Sequence, residues 1–412
     1  MTLHKNSSKT TSISVSSTTP KPKTNTMWKQ DKYVASIRYM ADGEIKQPAA
    51  LKGEPPPHTK ELAELLTWRR PSKTPLQDAF IEGYLMPRLE ELQKTAKNGC
   101  EVHTDAYGNV LFDMWHDKAG LKPSNTMFTA HIDTVHSSMN KSQSQSVCYD
   151  HTKKTIFKDD NEPLGADDGT GIYILLQMIK AEVPGLYAFF KDEECGRLGS
   201  IAFQKESPIN LEGIARVVSF DRMNATDIIT RQRGGKCASD EFAIELGKQL
   251  EVHAKLDYKP SPNGSFTDSA TFMDDIPECT NISIGYKNQH SSSETQNMLT
   301  LNALLNALPH VDWDNLPSVR DPKATPEPDT WDMWGLDDGY GGSSGYYGMG
   351  GKVYGKADDK RFDKLEGFCM PDPDIEDMAD FIVSHPYLMA QIMMHEGYEL
   401  DQIKDLIETL FK

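Results

Sequence analysis

The sequence LGADDGTGIYILLQM, residues 164–178, decides the fold because it joins an acidic, glycine-flanked turn to an apolar run. The apolar run favours a buried helix, and the glycines allow the backbone to bend tightly before it. Asp167 and Asp168 repel each other, so they usually stay together where a cation or firm hydrogen bonds hold them. A solvated turn in which aspartate caps the helix is the other interpretation. The rest of the chain has to distinguish the two.

Predicted strands and helices alternate on both sides of this turn. TMFTAHID (126–133), LYAFFKDEE (186–194) and RVVSFDR (216–222) are apolar, β-rich runs that end on charged residues. The spacing of apolar residues predicts a helix over 239–253, and CTNISIGYKNQH (279–290) indicates a last strand. This alternation predicts an α/β fold with a mixed, mostly parallel central sheet flanked by helices.

The predicted strands share one property, which is that each ends in side chains able to bind a metal. These side chains are His131 with Asp133, Glu193 with Glu194, Asp221, and His290. In open α/β sheets, ligands bind beyond the carboxyl ends of the strands, so residues far apart in sequence can meet in one cleft. Imidazole and carboxylate ligands suit zinc, and this many carboxylates favour two ions about 3.5–4 Å apart. One aspartate of the opening pair would then bridge the two cations.

Composition excludes several classes of function. The net charge of −17 argues against nucleic-acid and anionic-membrane partners. The sequence contains no apolar run of the ~18 residues that a membrane span needs. Six scattered cysteines without a CxxC pair, and an N-terminus without an apolar signal region, predict a reduced, cytoplasmic protein.

The chain separates into four zones by composition. Residues 1–58 are predicted to be a disordered basic tail rich in Ser, Thr and Pro, and residues 59–318 the main domain. Residues 319–372 are predicted to be a flexible linker, first Pro-rich and then Gly/Tyr-rich, because they cannot pack a core. Residues 373–412 have apolar residues at helical spacing, and this helical segment either docks on the main domain or binds a protein partner.

Five motifs in order resemble the signature of the co-catalytic dinuclear zinc peptidases, the group that contains the M20 and M28 enzymes. They are FTAHIDTV, LGADDGTG, KDEECG, VVSFDR and IGYKNQH, and DAYGNV upstream also fits. The match spans roughly residues 60–305. A lone HxD is a weak signal, whereas five pieces in order at the edges of predicted elements are a strong one.

The resemblance implies a role for each matched residue. It implies one histidine for each ion, a bridging aspartate and one further carboxylate on each ion, and these are His131, His290, Asp167, Glu194 and Asp221. Asp133 would orient the imidazole of His131. Glu193 would be the general base that takes a proton from the attacking water and passes it to the leaving amine. Asp168 would be a neighbour of the site and not a ligand.

The sequence departs from the M20 pattern in one respect. M20 enzymes resemble this chain but insert a lid domain before the last histidine, whereas Asp221 and His290 are only 69 positions apart here. Those positions already hold a predicted helix and the TDSATF turn, so no lid domain fits. The short connection resembles M28, and HIDTV and GADDGTG resemble M20 equally, so the choice between the two families stays open. A domain without a lid is compatible with a monomer.

These features predict a metal-dependent hydrolase of peptide bonds, an exopeptidase or aminopeptidase with two divalent ions. Zinc is favoured, and manganese or cobalt is an alternative. The first alternative function is an N-acyl amino acid amidohydrolase that takes acylated amino acids, and the second is a catalytically silent scaffold. Three residues are predicted to bind substrate, although a solvated loop or core packing explains them as well, and they are Arg231, Arg233 and Tyr286.

Overall fold

The computed structural model describes residues 37–46, 54–97, 99–114, 124–207, 209, 211–232 and 235–324. The chain divides into two units, residues 1–329 and residues 330–412, and all the described residues belong to the first. The predicted C-terminal helical segment, nearly all of the predicted linker and Arg233 lie outside the described residues.

The strands and helices of the described residues are numbered here in chain order. The strands are β1 (Arg38–Ala41), β2 (Glu44–Lys46), β3 (Glu101–Thr104), β4 (Val110–Asp113), β5 (Thr126–His131), β6 (Cys148–Asp150), β7 (Thr155–Phe157), β8 (Leu186–Phe190), β9 (Arg216–Arg222), β10 (Asp227–Ile229), β11 (Arg231–Gln232), β12 (Gly235–Lys236), β13 (Lys259–Ser261), β14 (Glu278–Ser283), β15 (Tyr286–Lys287) and β16 (Thr295–Asn297). The helices are α1 (Thr59–Leu66), α2 (Pro75–Phe80), α3 (Met86–Thr95), α4 (Ala166–Lys180), α5 (Leu198–Glu206), α6 (Asp240–Ala254) and α7 (Met298–Ala307).

An eight-stranded sheet forms the centre of the domain, in the order β13-β10-β14-β9-β5-β8-β4-β3. The four middle strands β14, β9, β5 and β8 are parallel. Strand β4 continues the sheet antiparallel to β8, and β3 pairs antiparallel with β4. All six residues of β5 and all five of β8 are buried, as expected for parallel strands covered on both faces. The predicted mixed, mostly parallel sheet flanked by helices is therefore confirmed.

Helix α4 packs against the middle of this sheet, on β5 and β9. Its approach depends on Gly171, because a Cβ at that position would lie 2.3 Å from the carbonyl oxygen of Phe220 and 2.3 Å from Asp168 Oδ1. Only glycine allows so close a contact between helix and strand. This contact brings the acidic start of α4 to the carboxyl ends of the parallel strands.

A second sheet, which the sequence did not predict, has the order β15-β16-β7-β6-β1-β2. Its strands are only two to four residues long. Strand β1 pairs in parallel with β6, and the ring of Tyr39 contacts that of Tyr149 edge-on at 6.2 Å. Residues 38–46 are therefore ordered, although composition placed them in a disordered tail, because this pairing satisfies a backbone that carries few apolar residues.

The connection between Asp221 and His290 holds strands β10–β15 and helix α6, and the described part of it contains no inserted domain. The absence of a lid domain agrees with the prediction. The domain also continues beyond the predicted boundary at residue 318, because Val319 N donates to Glu278 Oε1 at 2.9 Å and Arg320 Nη2 donates to the carbonyl of Ile276 at 2.6 Å.

Among the described residues, no helix has the length and apolarity needed to cross a bilayer. The five cysteines of this part of the chain form no disulfide bond with one another.

Candidate metal centre

Five side chains meet at the carboxyl ends of the parallel strands. Two sets of three offer ligand atoms that all lie within 4.8 Å of one another, and they are His131 with Asp167 and Asp221, and Asp167 with Glu194 and His290. His131 ends β5, Asp221 lies near the end of β9, Glu194 follows β8, and Asp167 lies in the first turn of α4. The structure therefore brings together all five residues that the resemblance implies as ligands.

His290 reaches this site differently from the prediction. The last strand of the central sheet, β14, ends at Ser283, and His290 lies in a turn beyond β15 with a φ of 61°. It is not at the end of a strand as the sequence indicated. The second sheet places it there, because β15 pairs with β16 on the far side of the turn.

Asp167 is the residue that the two sets share. Its Oδ1 lies 3.0 Å from His131 Nε2, and its Oδ2 lies 3.2 Å from His290 Nε2. One carboxylate therefore presents one oxygen to each histidine. This arrangement suits a carboxylate that bridges two cations.

The donor set fits two cations in its chemistry. Glu194 Oε1 lies 2.9 Å from His290 Nε2, and Asp221 Oδ1 lies 3.7 Å from His131 Nε2. Glu194 Oε1 is buried, yet it receives no aligned hydrogen bond from the described residues. A buried carboxylate oxygen without a donor is costly unless a cation satisfies it. The mixture of imidazole and carboxylate donors is one that zinc binds.

Asp133 holds His131 and the loop of the two glutamates. His131 Nδ1 lies 3.1 Å from the carbonyl of Asp133 and 3.4 Å from its Oδ1. The carboxylate accepts backbone hydrogen bonds from Glu193 at 2.9 Å and Glu194 at 3.1 Å, and one from Ser72 Oγ at 2.7 Å. Burial opposes ionisation, but the contacts with His131 and Ser72 hold the pKa of Asp133 below its ordinary value. These contacts suit the orienting role that the resemblance implies.

Asp168 has a different surrounding from its neighbour Asp167, to which it is joined by a cis peptide bond. Its Oδ2 accepts the backbone N–H of His131 and its Oδ1 that of Gly171, both at 3.0 Å. Burial raises the pKa of Asp168 well above its ordinary value. It lies in neither set of candidate ligands. Firm hydrogen bonds therefore hold one aspartate of the opening pair, while the other faces the candidate cation positions.

Tyr286 was predicted to contact substrate, and the structure corrects this. It is 1% exposed, and its hydroxyl donates to Asp221 Oδ1 at 3.0 Å. Thr267 Oγ1 donates to the other oxygen of Asp221 at 2.6 Å. Tyr286 therefore lies behind a candidate ligand because β15 runs beside the end of β9. Arg231 lies in the β11–β12 hairpin, and with Arg233 not described, the substrate-binding role of this pair stays a prediction.

Glu193 lies beside the candidate ligands without belonging to either set. Burial, with added repulsion from Asp268 and Asp221, raises the pKa of Glu193 well above its ordinary value. A carboxylate with a raised pKa accepts a proton more readily, which is the property that a general base requires.

Sequence reasoning missed two buried carboxyl groups near the site, Asp268 and Glu294. Asp268 is 1% exposed, its Oδ1 has no partner among the described residues, and burial raises its pKa to about 7. It lies in the TDSATF segment, which forms a short 3-10 helix over Asp268–Phe272. Glu294 follows His290 by four residues, and that spacing from a candidate ligand was the signal that could have found it.

Comparison with known proteins gives one family match. Residues 109–306 match the sequence model of peptidase family M28. No curated protein matches the sequence.

Solved structures resemble the chain in fold. An aminopeptidase PepT from Bacillus cereus is 15% identical, with a TM-score of 0.46 over 61% of this chain and 96% of that one. A tripeptidase from Staphylococcus aureus is 12% identical, with a TM-score of 0.48 over 62% and 96%. The Pyrococcus horikoshii TET1 peptidase, which assembles into a tetrahedron or an octahedral shell, is 14% identical, with a TM-score of 0.40 over 54% and 92%. Likenesses at this level carry no argument about activity, and the predicted monomer finds no support in them.

The family match, in contrast, bears on activity, because it spans every residue of the two candidate ligand sets. The chain is therefore a metal-dependent peptidase of the M20/M28 type, and of these two families it is M28 whose model matches residues 109–306.

Proposed function

We propose that this domain is an exopeptidase that binds two divalent cations, zinc in the first instance, and removes residues from the free N-terminus of peptides. The observation that carries the proposal is Asp167, whose two oxygens face two different histidines at 3.0 and 3.2 Å. His131 and Asp221 would hold one cation with Asp167, and Glu194 and His290 would hold the other. Manganese and cobalt accept the same donors.

Two cations held by these residues would supply the Lewis acidity that polarises a scissile carbonyl and acidifies a water molecule. The residues of the chain have two tasks, which are to fix the orientation of the metal ligands and to transfer the proton of the attacking water. Asp133 does the first, because it fixes the ring of His131 and the backbone of both glutamates at once. Asp221 is held from behind by the hydroxyls of Thr267 and Tyr286.

Glu193 would move the proton. It would accept one from the attacking water and donate it to the nitrogen of the leaving amine, so that the peptide bond breaks and a carboxylic acid and a neutral amine form, after which the acid loses its remaining proton to solvent. Its backbone N–H is anchored on Asp133, while its side chain is close enough to Asp221 and Asp268 for their charges to raise its pKa.

The charge of the site supports a substrate with a free α-amino group. Asp167, Glu193, Glu194, Asp221 and Asp268 gather around two histidines. A carboxylate of this group that is not neutralised by a bound cation or by a proton would attract the ammonium group of a free N-terminus, an attraction that a blocked N-terminus lacks.

The first test is metal content per chain, measured by mass spectrometry on the purified protein and on Asp167→Ala. We expect about two equivalents of zinc, manganese or cobalt in the wild type and a sharp loss in the variant. Asp227→Ala is the matched control, because it removes a carboxylate that pairs with Arg222 outside the two candidate sets. Little bound metal in the wild type, with none gained after zinc is added and the excess removed, would contradict the proposal.

The second test compares hydrolysis of a free peptide, its N-acetylated form and an N-acetyl amino acid. We expect the free peptide to be cleaved fastest. Equal rates on the free and acetylated peptides would contradict the role given to the α-amino group. Hydrolysis of the N-acetyl amino acid alone would favour an amidohydrolase on the same fold.

A further inference from the structure

Glu294 joins the two loops that carry Asp167 and His290. It is 1% exposed, and each of its carboxylate oxygens accepts one backbone hydrogen bond from the turn before α4. Gly165 N donates to Oε2 and Asp167 N donates to Oε1, both at 2.9 Å. The backbone N–H of Glu294 donates to the carbonyl of Ser291 at 3.2 Å, within the turn that follows His290. One buried carboxylate therefore connects segments that are 127 and 129 positions apart.

The turn of residues 165–167, which Glu294 holds, is also restricted by Arg70 and by the lack of space around Gly165. Arg70, which is buried, donates from Nη2 to the carbonyl of Gly165 at 3.0 Å and from Nε to the carbonyl of Ile132 at 2.8 Å. Gly165 has a φ of 77°, and a Cβ there would lie 2.8 Å from Cε1 of His136. Two buried side chains of opposite charge therefore hold the peptide groups of this turn from two sides.

The orientation of Asp167 depends on this turn. Its side chain has to present one oxygen to His131 and the other to His290, and a rotation of its backbone would move both oxygens together. A carboxylate that accepts two backbone N–H groups prevents such a rotation, because each hydrogen bond has a preferred direction.

We propose that Glu294 is a positioning residue that fixes Asp167 between the two cation positions through the backbone of residues 165–167. The inference rests on the proposed function, because it concerns how two cations share one carboxylate. Glu294 itself contacts neither cation position, and it acts on both through Asp167.

The test is a zinc titration of metal-free wild-type protein and of Glu294→Gln by isothermal calorimetry. The amide keeps the shape of the side chain, but it offers one oxygen acceptor and turns an NH2 group toward the second backbone N–H. We expect zinc affinity to fall by about 10- to 100-fold, the usual effect of losing a partner that orients a ligand. Both equivalents should weaken, because Asp167 would serve both.

The matched control is Gln296→Met, measured in the same way. Gln296 is buried in the same segment, but it accepts from Thr170 Oγ1 at 2.8 Å and donates to the carbonyl of Ile284 at 3.0 Å. We expect this variant to lower the melting temperature of the metal-free protein while its zinc affinity stays at the wild-type value. A purely structural Glu294 would behave in the same way as this control.

The outcomes separate the inference from the proposed function. A wild type that binds no zinc would overturn the proposed function. A wild type that binds two equivalents, together with an unchanged affinity in Glu294→Gln, would overturn the role of Glu294 alone. If Glu294→Gln does not fold, Glu294→Asp is judged by the same criterion, because it keeps the charge but is too short to reach both N–H groups.

Discussion

Glu193 and Glu194 are adjacent residues with different surroundings, and this difference predicts different effects of the same substitution. Glu194 lies 2.9 Å from His290 Nε2 as a candidate ligand, whereas Glu193 belongs to neither candidate set. We expect Glu193→Gln to lower kcat by about 10²- to 10⁴-fold with metal content unchanged, because an amide cannot accept the proton. Glu194→Gln should instead reduce the bound metal. Parallel measurements of kcat and metal content check both, and a loss of metal in Glu193→Gln would contradict the assignment.

Asp268 predicts a pH dependence of stability in the metal-free protein. Burial raises the pKa of Asp268 in the folded state to about 7, whereas the pKa of an aspartate in an unfolded chain is about 4. Between these values the folded state binds more protons than the unfolded one, so the free energy of unfolding falls as pH rises from about 4 to 7. We expect Asp268→Asn to flatten this fall in urea titrations with EDTA present. Asp227→Asn is the control, and identical profiles for Asp268→Asn and wild type would refute the prediction.

At the scale of elements, the contact of α4 with β9 is the one least able to accept a change. A Cβ at position 171 would meet the carbonyl oxygen of Phe220 and the carboxylate of Asp168, which in turn holds the N–H of His131. Overpacking of this kind costs about 1–3 kcal/mol. We expect Gly171→Ala to lower the melting temperature by about 2 °C or more and to weaken metal binding. Lys180→Ala, exposed in the last turn of α4, should change neither, and a Gly171→Ala variant with wild-type melting would contradict this packing.

The elements show how far the sequence could predict the fold. The strands that end near His131, Glu194 and Asp221 were predictable, because apolar runs and their charged ends mark buried parallel strands. The second sheet was not, since strands of two to four residues are too short to show a period. The position of His290 depends on that sheet, so the sequence placed this residue at the end of the wrong strand. Asp268 was missed because no local pattern marks it, and the contacts of Glu294 could not be predicted because Gly165 and Asp167 are distant from it in sequence.

At the scale of the whole molecule, the gathered carboxylates predict that metal binding stabilises the fold. Asp167, Asp221 and Glu194 lie close enough to repel each other without a cation. A cation at 100 times its Kd adds about 2.7 kcal/mol to the free energy of unfolding, which corresponds to a rise in Tm of about 5–10 °C. We expect EDTA to lower Tm by this amount and zinc to restore it in calorimetry. Asp167→Ala should show no such response, and an equal response to zinc would count against the site.

The domain boundaries predicted from composition can be tested on a shortened chain. The described domain extends at least to Arg320, and the first unit of the chain ends at residue 329. We expect a chain that ends at residue 329 to keep the Tm and metal content of the full protein. A drop in either would mean that residues 330–412 support the peptidase domain.

The second sheet has a consequence for the order in which the protein is made. It pairs β1, near residue 38, with strands that end only at Asn297, so the ribosome must release most of the domain before this sheet can close. His131, Asp167 and Asp221 leave the ribosome well before His290 and Glu294. A nascent chain therefore carries four of the five candidate ligands, with its carboxylates close together, while His290 is still being translated. Pairings between such distant segments slow folding, so the segment that carries His290 and Glu294 governs when the newly made protein can first complete its candidate metal site.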